Sequence, residues 1–529
     1  MFNTEKKYIL AIDGGTMGVR SIIFDFDGHE ISSSYFETPT YTPKPGYVEQ
    51  NAEDFVNLAY KSTRTAIEKS KLDPKQIVTV SFTNMRATYV PVDKDGKFLH
   101  NIFIWQDQRG SEIFPWMRER LAKYGMTEND LYNKTGFPIQ SVSQSSKVFW
   151  LKLKLPEIYE KTYKFLSPQG VLLHAYGATD WFDDSDDANW WQVCDKDTFK
   201  YSKEMAEVFD VDLDKYPILL PPGAKAGEIT EKISKLTSLA VGTPIFVGSG
   251  DQQCGAAGVG NSGASGVGSV CLGTAGLCIG YSKDPVADPN ISCHVLGHPG
   301  GGYTMEGHAS AAASSFRWVR NTLCQHEMVI AEETGLDVYD LLTSAASQSP
   351  VGAKGMIYLP WLAGAACPHY DDNAKACFIG MNLQHKKSDF LRAAMEGICF
   401  EMREMLGALN RAGFPKFETI RVTGGAARSA LWNQIQADIY NTVIETVETP
   451  EATALGAAMI AAVGIGAYKN LDEAAQHMVH VKDRWEPIPE NVEHYDKIYD
   501  VFLACYNGLK DEAFPKVFEL QKTYDGGKK

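Results

Sequence analysis

Nothing in this 529-residue chain approaches the run of roughly 18 apolar residues that a membrane-spanning helix requires. Its start, Met1-Phe2-Asn3-Thr4-Glu5-Lys6-Lys7, leads directly into a short strand and not into the apolar stretch of a secretion signal. These absences set the expectation of a cytoplasmic protein with no membrane partner. Cysteines are present, but their telling patterns are not. Cys194, Cys254, Cys271, Cys278, Cys293, Cys324, Cys367, Cys377, Cys399 and Cys505 contain no CxxC pair and no zinc spacing. Several lie in apolar runs, so they read as free buried thiols of a reducing compartment. Positive charge is in deficit, with 51 Lys and Arg against 66 Asp and Glu. The net charge of −15 argues against nucleic acid and against an anionic membrane, both of which are held by clustered basic residues. A nucleotide stays open, because backbone N–H groups and a metal can hold its phosphates. No low-complexity tract appears beyond Gly526-Gly527-Lys528-Lys529.

What is present is an ordinary globular composition, 44% hydrophobic and 22% charged, in a chain too long for one core. Two domains are expected, 1–257 and 258–529, with the junction where Gly255, Gly258, Gly260, Gly263, Gly266 and Gly268 crowd together. Residues 8–35 read as a strand meander, and Asn51 as the cap of a helix running towards Lys69. Ile77–Phe82 and Tyr89–Val92 read as strands, which gives the alternation of an open α/β sheet. In the second half, Ser388 or Asp389 would cap a helix with the apolar stripe Leu391, Met395, Ile398, Met402, Met405 and Leu409. Glu418–Thr423 then reads as a strand that turns through Gly424-Gly425 into a helix.

The chemistry centres on Asp251, which follows the apolar run Ile245-Phe246-Val247 and is wrapped in glycine as Gly248-Ser249-Gly250-Asp251-Gln252-Gln253. Two strand-glycine-threonine-strand hairpins accompany it. One is Tyr8–Gly28, containing Asp13-Gly14-Gly15-Thr16, and the other is Ser269–Gly280, containing Gly273-Thr274-Ala275-Gly276. Glycine lets a main chain approach a phosphate closely and threonine adds a hydroxyl donor, so such hairpins can hold nucleotide phosphates from two sides. Gly424-Gly425 before a helix suits a flat ring or a phosphate. Transfer of a phosphoryl group to an alcohol needs positioning, metal-assisted neutralisation and a carboxylate to take the hydroxyl proton. Asp251 suits the base, and Asp13 suits Mg²⁺, at a metal site that Asp251 would share.

In order and together, these motifs resemble those of the FGGY carbohydrate kinases. The likeness runs from Ile9 to about Trp485 and includes Gly46-Tyr47-Val48-Glu49-Gln50, Ile104-Trp105-Gln106-Asp107-Gln108-Arg109, Leu359-Pro360-Trp361-Leu362-Ala363-Gly364 and Glu451-Ala452-Thr453-Ala454-Leu455-Gly456. The resemblance implies two actin-like, ribonuclease H-like α/β domains with a cleft between them. It implies Mg²⁺- and ATP-dependent phosphorylation of a sugar or polyol, with Asp251 as base. Gly14, Gly15, Thr16, Arg20, Gly273, Thr274, Gly424, Gly425, Ala426 and Asn433 would then contact ATP. The sugar candidates are Arg86, Trp105, Asp107, Asn189, Gln252 and His308, since an aromatic beside a carboxylate suits a sugar's C–H face and hydroxyls.

Which sugar is less sharply written. Similar xylulose kinases carry Met-His where Arg86-Ala87 stands, whereas glycerol and autoinducer-2 kinases carry Arg-Glu. This chain keeps the arginine and lacks the adjacent acid, while Leu359–His369 and Asp372–Gly380 look xylulose-kinase-like. D-Xylulose is the lead substrate, with an autoinducer-2 precursor or another linear sugar or polyol (erythritol, ribulose, glycerol) as the alternative. A non-enzymatic sugar sensor or chaperone on the same fold is disfavoured by the retained Asp251 and by the lack of an appended DNA- or peptide-binding unit. A homodimer is left open. The stretch Asp180–Trp191, acidic and aromatic, reads as a solvated turn, with Asn189 as its one sugar contact.

Overall fold

The computed structural model describes residues 4–263, 266–291, 293–414 and 416–525. The first hairpin forms as its pattern predicts. Strands β1 (Tyr8–Gly14), β2 (Gly18–Phe24) and β3 (Glu30–Glu37) make an antiparallel meander, with Ile9 opposite Phe24 and Ile22 opposite Ser33. β4 (Ile77–Asn84) lies parallel to β1, and β6 (Pro244–Gly250) parallel to β4, while β5 (Lys225–Glu228) closes the edge antiparallel to β6. The order is β5-β6-β4-β1-β2-β3. The inner strands are almost continuously buried, as parallel strands are when helices cover both faces.

The second sheet repeats this plan. β7 (Val267–Leu272), β8 (Gly276–Ser282) and β10 (Tyr303–Ala309) form the meander, with β9 (His294–Gly297) added at the edge. β11 (Thr419–Thr423) and β12 (Val443–Val447) run parallel to β7, and β13 (Val481–Trp485) is antiparallel beyond them. The order β9-β10-β8-β7-β11-β12-β13 is that of the first sheet with one strand more.

Helix α1 (Ala52–Ser70) packs on β2 and β3, and Asn51 Oδ1 caps it by accepting the Asp54 N–H at 2.9 Å. α2 (Gln144–Lys154) lies above the turn that follows β4, and α3 (Asp251–Gly258) leaves β6 directly. α4 (Lys387–Arg411) buries the whole predicted stripe from Leu391 to Leu409. Its start differs from expectation. Lys386 takes the cap position, and Asp389 sits inside the first turn, where its carboxylate accepts the Lys386 N–H at 2.8 Å and the Ser349 hydroxyl at 2.6 Å. The glycine-to-helix turn is also displaced. Gly424 takes φ +85°, a single 3₁₀ turn (Gly425–Arg428) follows, and α5 (Ala430–Tyr440) begins behind a Ser429 cap.

α6 (Ala452–Gly464), with six alanines and two glycines in its 13 residues and buried on nearly every side, crosses back and covers the free face of β1 and β4. It meets α3 backbone to backbone. A Cβ at Gly258 would lie 1.8 Å from the Ala452 carbonyl oxygen, and one at Gly456 would lie 1.9 Å from that of Cys254. The small side chains of α6 are therefore a packing requirement. Among the described residues, no helix is long and apolar enough to cross a membrane.

Gly456→Ala should lower stability by about 1–3 kcal/mol through overpacking at this crossing. Gly508→Ala has nothing within 4 Å of the added Cβ and provides the control. It should be neutral, or stabilising by up to about 1 kcal/mol. Urea denaturation of the two variants reads the difference.

Candidate active site

Asp251 is the first residue of α3, at the carboxyl end of β6, where an open α/β sheet presents its ligands. Its side chain keeps 27% of its surface open, and Oδ1 lies 3.3 Å from Arg86 Nε. Gly250 permits this approach, because a Cβ there would stand 2.5 Å from Arg86 Cδ. Arg86 comes from the turn after β4, and its guanidinium reaches across to the second sheet. Nη1 donates to Glu306 Oε2 at 2.9 Å and to Gln253 Oε1 at 3.2 Å, and Nη2 donates to Glu306 Oε1 at 3.0 Å. The guanidinium also lies 5.5 Å from the Trp190 ring. Glu306, on β10, has His294 Nδ1 at 3.6 Å on its other side.

These contacts set the charges. Burial works against ionisation of Glu306, but Arg86, and then His294, outweigh it and hold the carboxyl at about 2. Asp251 is pushed up to about 6 by burial, against the pull of Arg86 and with the push of Glu306. Asp13, at the end of β1, is raised to about 7 by burial and then by the neighbouring Asp251 charge. Its Oδ1 is buried without a hydrogen-bond partner. His308 is driven down to about 4, first by burial and then by His294, so its ring is neutral at pH 7. It stands 5.4 Å from the His294 ring and 6.1 Å from that of Tyr370.

Beside Asp251 opens a cavity of about 210 Å³ lined by Asp13, Gln252, Ser269, Thr423, Gly424 and Glu451 among others. Both hairpins and the Gly424 turn therefore converge on one space. Trp105 is 39% exposed, with its Nε1–H donating to Thr16 Oγ1 at 2.8 Å, and the Thr16 carbonyl accepts from Gln50 Nε2 at 2.7 Å. Thr274 and Gly425 are open, and a Cβ at Gly425 would meet nothing within 4 Å. Arg20 is ion-paired with Glu451.

Several expected ligands are already engaged elsewhere. Asp107 is fully buried, and its carboxylate accepts from Arg109 Nη2 at 2.8 Å and from the Val48 N–H at 2.7 Å. It braces the Trp105 loop and presents nothing to a sugar. Asn189 is wholly buried, with Nδ2 3.4 Å from the Val295 carbonyl of the second half, so it is an interdomain contact. Asn433 is buried, and Nδ2 donates to the Ala427 carbonyl at 2.8 Å, which stiffens the glycine turn from behind. Gln252 lines the cavity beside Asp13, and its side chain hydrogen-bonds Asp251. Ala426 is buried, so only its main chain is available.

The acidic stretch is not a solvated turn. Asp183, Asp184, Asp186 and Asp187 are buried, and burial pushes each carboxyl upward. Asp183 accepts from the Ser167 hydroxyl at 2.6 Å, and Asp184 from Gln169 Nε2 at 2.8 Å. Asp187 Oδ1 lies 3.4 Å from Gln253 Nε2 and so joins the Arg86 cluster. Sequence reasoning also missed Glu306, Gln253 and Lys147. The available signal was a lone charge in an apolar run, as in Thr304-Met305-Glu306-Gly307 and Lys147-Val148-Phe149-Trp150-Leu151.

The family model for the FGGY family of carbohydrate kinases, N-terminal domain, matches residues 8–258, and that for its C-terminal domain matches residues 268–465. A xylulose kinase of Staphylococcus epidermidis is 29% identical over 508 residues, covering 96% of this chain and 97% of the relative. A gluconokinase of Bacillus licheniformis is 25% identical over 527 residues, covering 98% and 99%. The solved ligand-bound xylulose kinase from Lactobacillus acidophilus matches with a TM-score of 0.87 at 22% identity, over 97% of this chain and 100% of that one. The two-domain, actin-like architecture expected from the sequence is thereby shown.

Lys147 holds the floor of this site. Its buried Nζ donates to the carbonyls of Ala87 at 2.8 Å, Val142 at 2.9 Å and Ile104 at 3.2 Å, and burial lowers the amine to about 7. Two of these carbonyls flank Arg86 and Trp105. Lys147→Met leaves the Ala87 and Val142 carbonyls without this donor in the interior, while Ile104 keeps the Asp107 N–H, so stability should fall by at least about 2 kcal/mol. The check is a lower urea midpoint with an unchanged slope.

Proposed function

The chain belongs to the FGGY family of carbohydrate kinases, and from that premise we propose that it transfers the terminal phosphoryl group of ATP to a hydroxyl of an uncharged ketose or polyol, with D-xylulose as the lead substrate. The observation that carries the substrate class is the charge around Arg86. This one guanidinium faces Glu306, Asp251 and Asp187, and the neighbouring His308 is neutral. A sugar carboxylate would add a further negative charge to a site whose cation is already engaged. Hydroxyls fit, since each can donate to a carboxylate and accept from Arg86 or His308. That favours the activity for which the xylulose kinase relative is named over that of the gluconokinase relative.

In this reading the sugar hydroxyl approaches Asp251 beside the open face of Trp105. Its proton passes to the Asp251 carboxylate as the hydroxyl oxygen bonds to the γ-phosphorus, and the bond to the ADP oxygen breaks. Asp251, at about 6, is ionised at neutral pH yet basic enough to hold that proton before releasing it to water. Residues 1–257 would carry the base and the sugar, and 258–529 the nucleotide end. Membership of the two sheets supports that division, with α6 reaching back across it. On this reading the main chain at Gly14, Gly15, Thr16, Gly273, Thr274, Gly424 and Gly425 would contact the phosphates, and Gly424 lines the cavity.

Mg²⁺ fits the residues present. Asp13 has a buried oxygen with no partner, and its carboxyl is raised by a like charge next door, which a divalent cation would relieve. Asp13 would hold it with Asp251 alongside, and when bound it neutralises charge on the phosphates. Among the described residues no trio of metal-ligating side chains gathers, as expected where phosphate oxygens and water supply the remaining ligands.

A linear sugar of the autoinducer-2 precursor type is the second reading, because Glu306 supplies in space the acidic partner of Arg86 that Ala87 does not supply in sequence. ADP release should be measured for the wild type and Asp251→Asn across D-xylulose, L-ribulose, erythritol, glycerol, gluconate and that precursor. Asp251→Asn should lower kcat by about a hundredfold or more while nucleotide binding persists, and gluconate should rank last. Full activity in the variant removes Asp251 from the mechanism. Gluconate as the best substrate overturns the uncharged class.

A further inference from the structure

Phosphoryl transfer as described has no step for Glu306, yet Arg86 and His294 hold this buried carboxyl well below the usual range. Its side chain is 3% exposed, that of Arg86 is 9%, and the two belong to different sheets, 220 residues apart in the chain. An arginine offers five N–H donors in a planar fork, which is why it grips a carboxylate with two parallel bonds. Here that grip is already taken from within the protein. Nη1 is spent on Glu306 and Gln253, one Nη2 hydrogen is spent on Glu306, and Nε faces Asp251. Among the described residues a single Nη2–H is left over. One donor suits a sugar hydroxyl and cannot make the two-point contact that a carboxylated sugar would need.

We propose that Glu306 is a positioning and specificity-determining residue of the sugar site, which excludes acidic sugars by occupying the fork of Arg86 from the opposite domain. The inference rests on the reading of this cleft as a kinase site for an uncharged sugar. Glu306 also holds Arg86 in register: without it, the guanidinium is free to swing towards Asp187 or Asp251 and leave the hydroxyl unmet. Because β10 carries Glu306 and the turn after β4 carries Arg86, the subsite is complete only when the two domains stand as they do here. Substrate selection and domain closure are then one event.

The test uses the full chain and compares wild type, Glu306→Gln, Glu306→Asp and Asp251→Asn. The reference is the neutral sugar that the wild type uses best, set against gluconate, with KM and kcat determined separately. Glu306→Gln keeps the shape and removes the charge. Its KM for the neutral sugar should rise about tenfold while kcat changes less, and the ratio of kcat/KM for gluconate over the neutral sugar should rise at least tenfold. Glu306→Asp keeps the charge on an arm one methylene shorter, which frees part of the Arg86 fork, so its ratio should rise severalfold, less than that of Glu306→Gln. A purely structural role would lower kcat/KM for both substrates alike, so a ratio within twofold of wild type in folded Glu306→Gln overturns the proposal. If that variant does not fold, as judged by thermal melting, Glu306→Asp decides. A ratio raised severalfold supports the proposal, and an unchanged ratio overturns it. Failure of the underlying reading looks different, because neither wild type nor any variant would then show Asp251-dependent turnover with a neutral sugar.

Discussion

Arg86 brings a permanent positive charge out of water at the meeting point of two sheets, and its compensation organises the centre of the molecule. A buried cation is tolerated only when its partners are close and fully hydrogen-bonded. Three separate segments supply them: Glu306 from the second sheet, Asp251 and Gln253 from the start of α3, and Asp187 from the acidic stretch. The backbone bends to make room. Gly250 has no side chain where one would strike Arg86, and Ala87 takes φ +55°, a conformation unusual for a residue with a Cβ. Lys147 holds that bend by bonding the Ala87 carbonyl. Strain of this kind persists only where surrounding contacts over-determine it, and here those contacts belong to the site.

The same dependence reaches the Asp251 carboxylate through α3. That helix begins at Asp251 and ends at Gly258, where it touches α6 with no side chain between the two backbones. α6 in turn is the cover of the first sheet, although it belongs to the second half of the chain. The orientation of Asp251 is thus fixed at one end by the ion-pair cluster and at the other by a glycine crossing. A rotation of one half against the other would have to move both together.

The periodic and local features were legible in the sequence. Both hairpins, the Asn51 cap, the Leu391–Leu409 stripe and the position of Asp251 at a strand end follow from patterns spanning a few residues. The errors share one cause. Residue type shows what hydrogen bonds a side chain can make, but not whether folding has already used them. Asp107 and Asn433 had the right chemistry for ligands and are engaged by Arg109 and Ala427, while Asn189 is buried with Nδ2 near the Val295 carbonyl and Oδ1 without a partner. Asp183 to Asp187 looked solvated because their partners, Ser167, Gln169, Ser249 and Gln253, lie far away in sequence. Glu306 was invisible as a site residue for the converse reason, since its meaning depends on an arginine 220 positions earlier.

At the phosphate end the charge balance runs the other way. Asp13 and Glu451 line the cavity, and Arg20, the cation of the first hairpin, is already paired with Glu451. A polyphosphate entering this space meets carboxylates before it meets a free basic side chain from that hairpin. On the proposed reading its charge would be met by main-chain N–H groups at the glycine turns and by a divalent cation held by Asp13. On the reading proposed above, cation and nucleotide are interdependent ligands, because each removes the repulsion that opposes the other. At the sugar end, by contrast, four of the five N–H donors of Arg86 are engaged before any ligand arrives. One end of the cleft therefore lacks positive charge until the nucleotide brings its metal, and the other has none to spare for an acidic sugar. An uncharged acceptor can then approach Asp251 without competing for the counter-charge that the phosphates require.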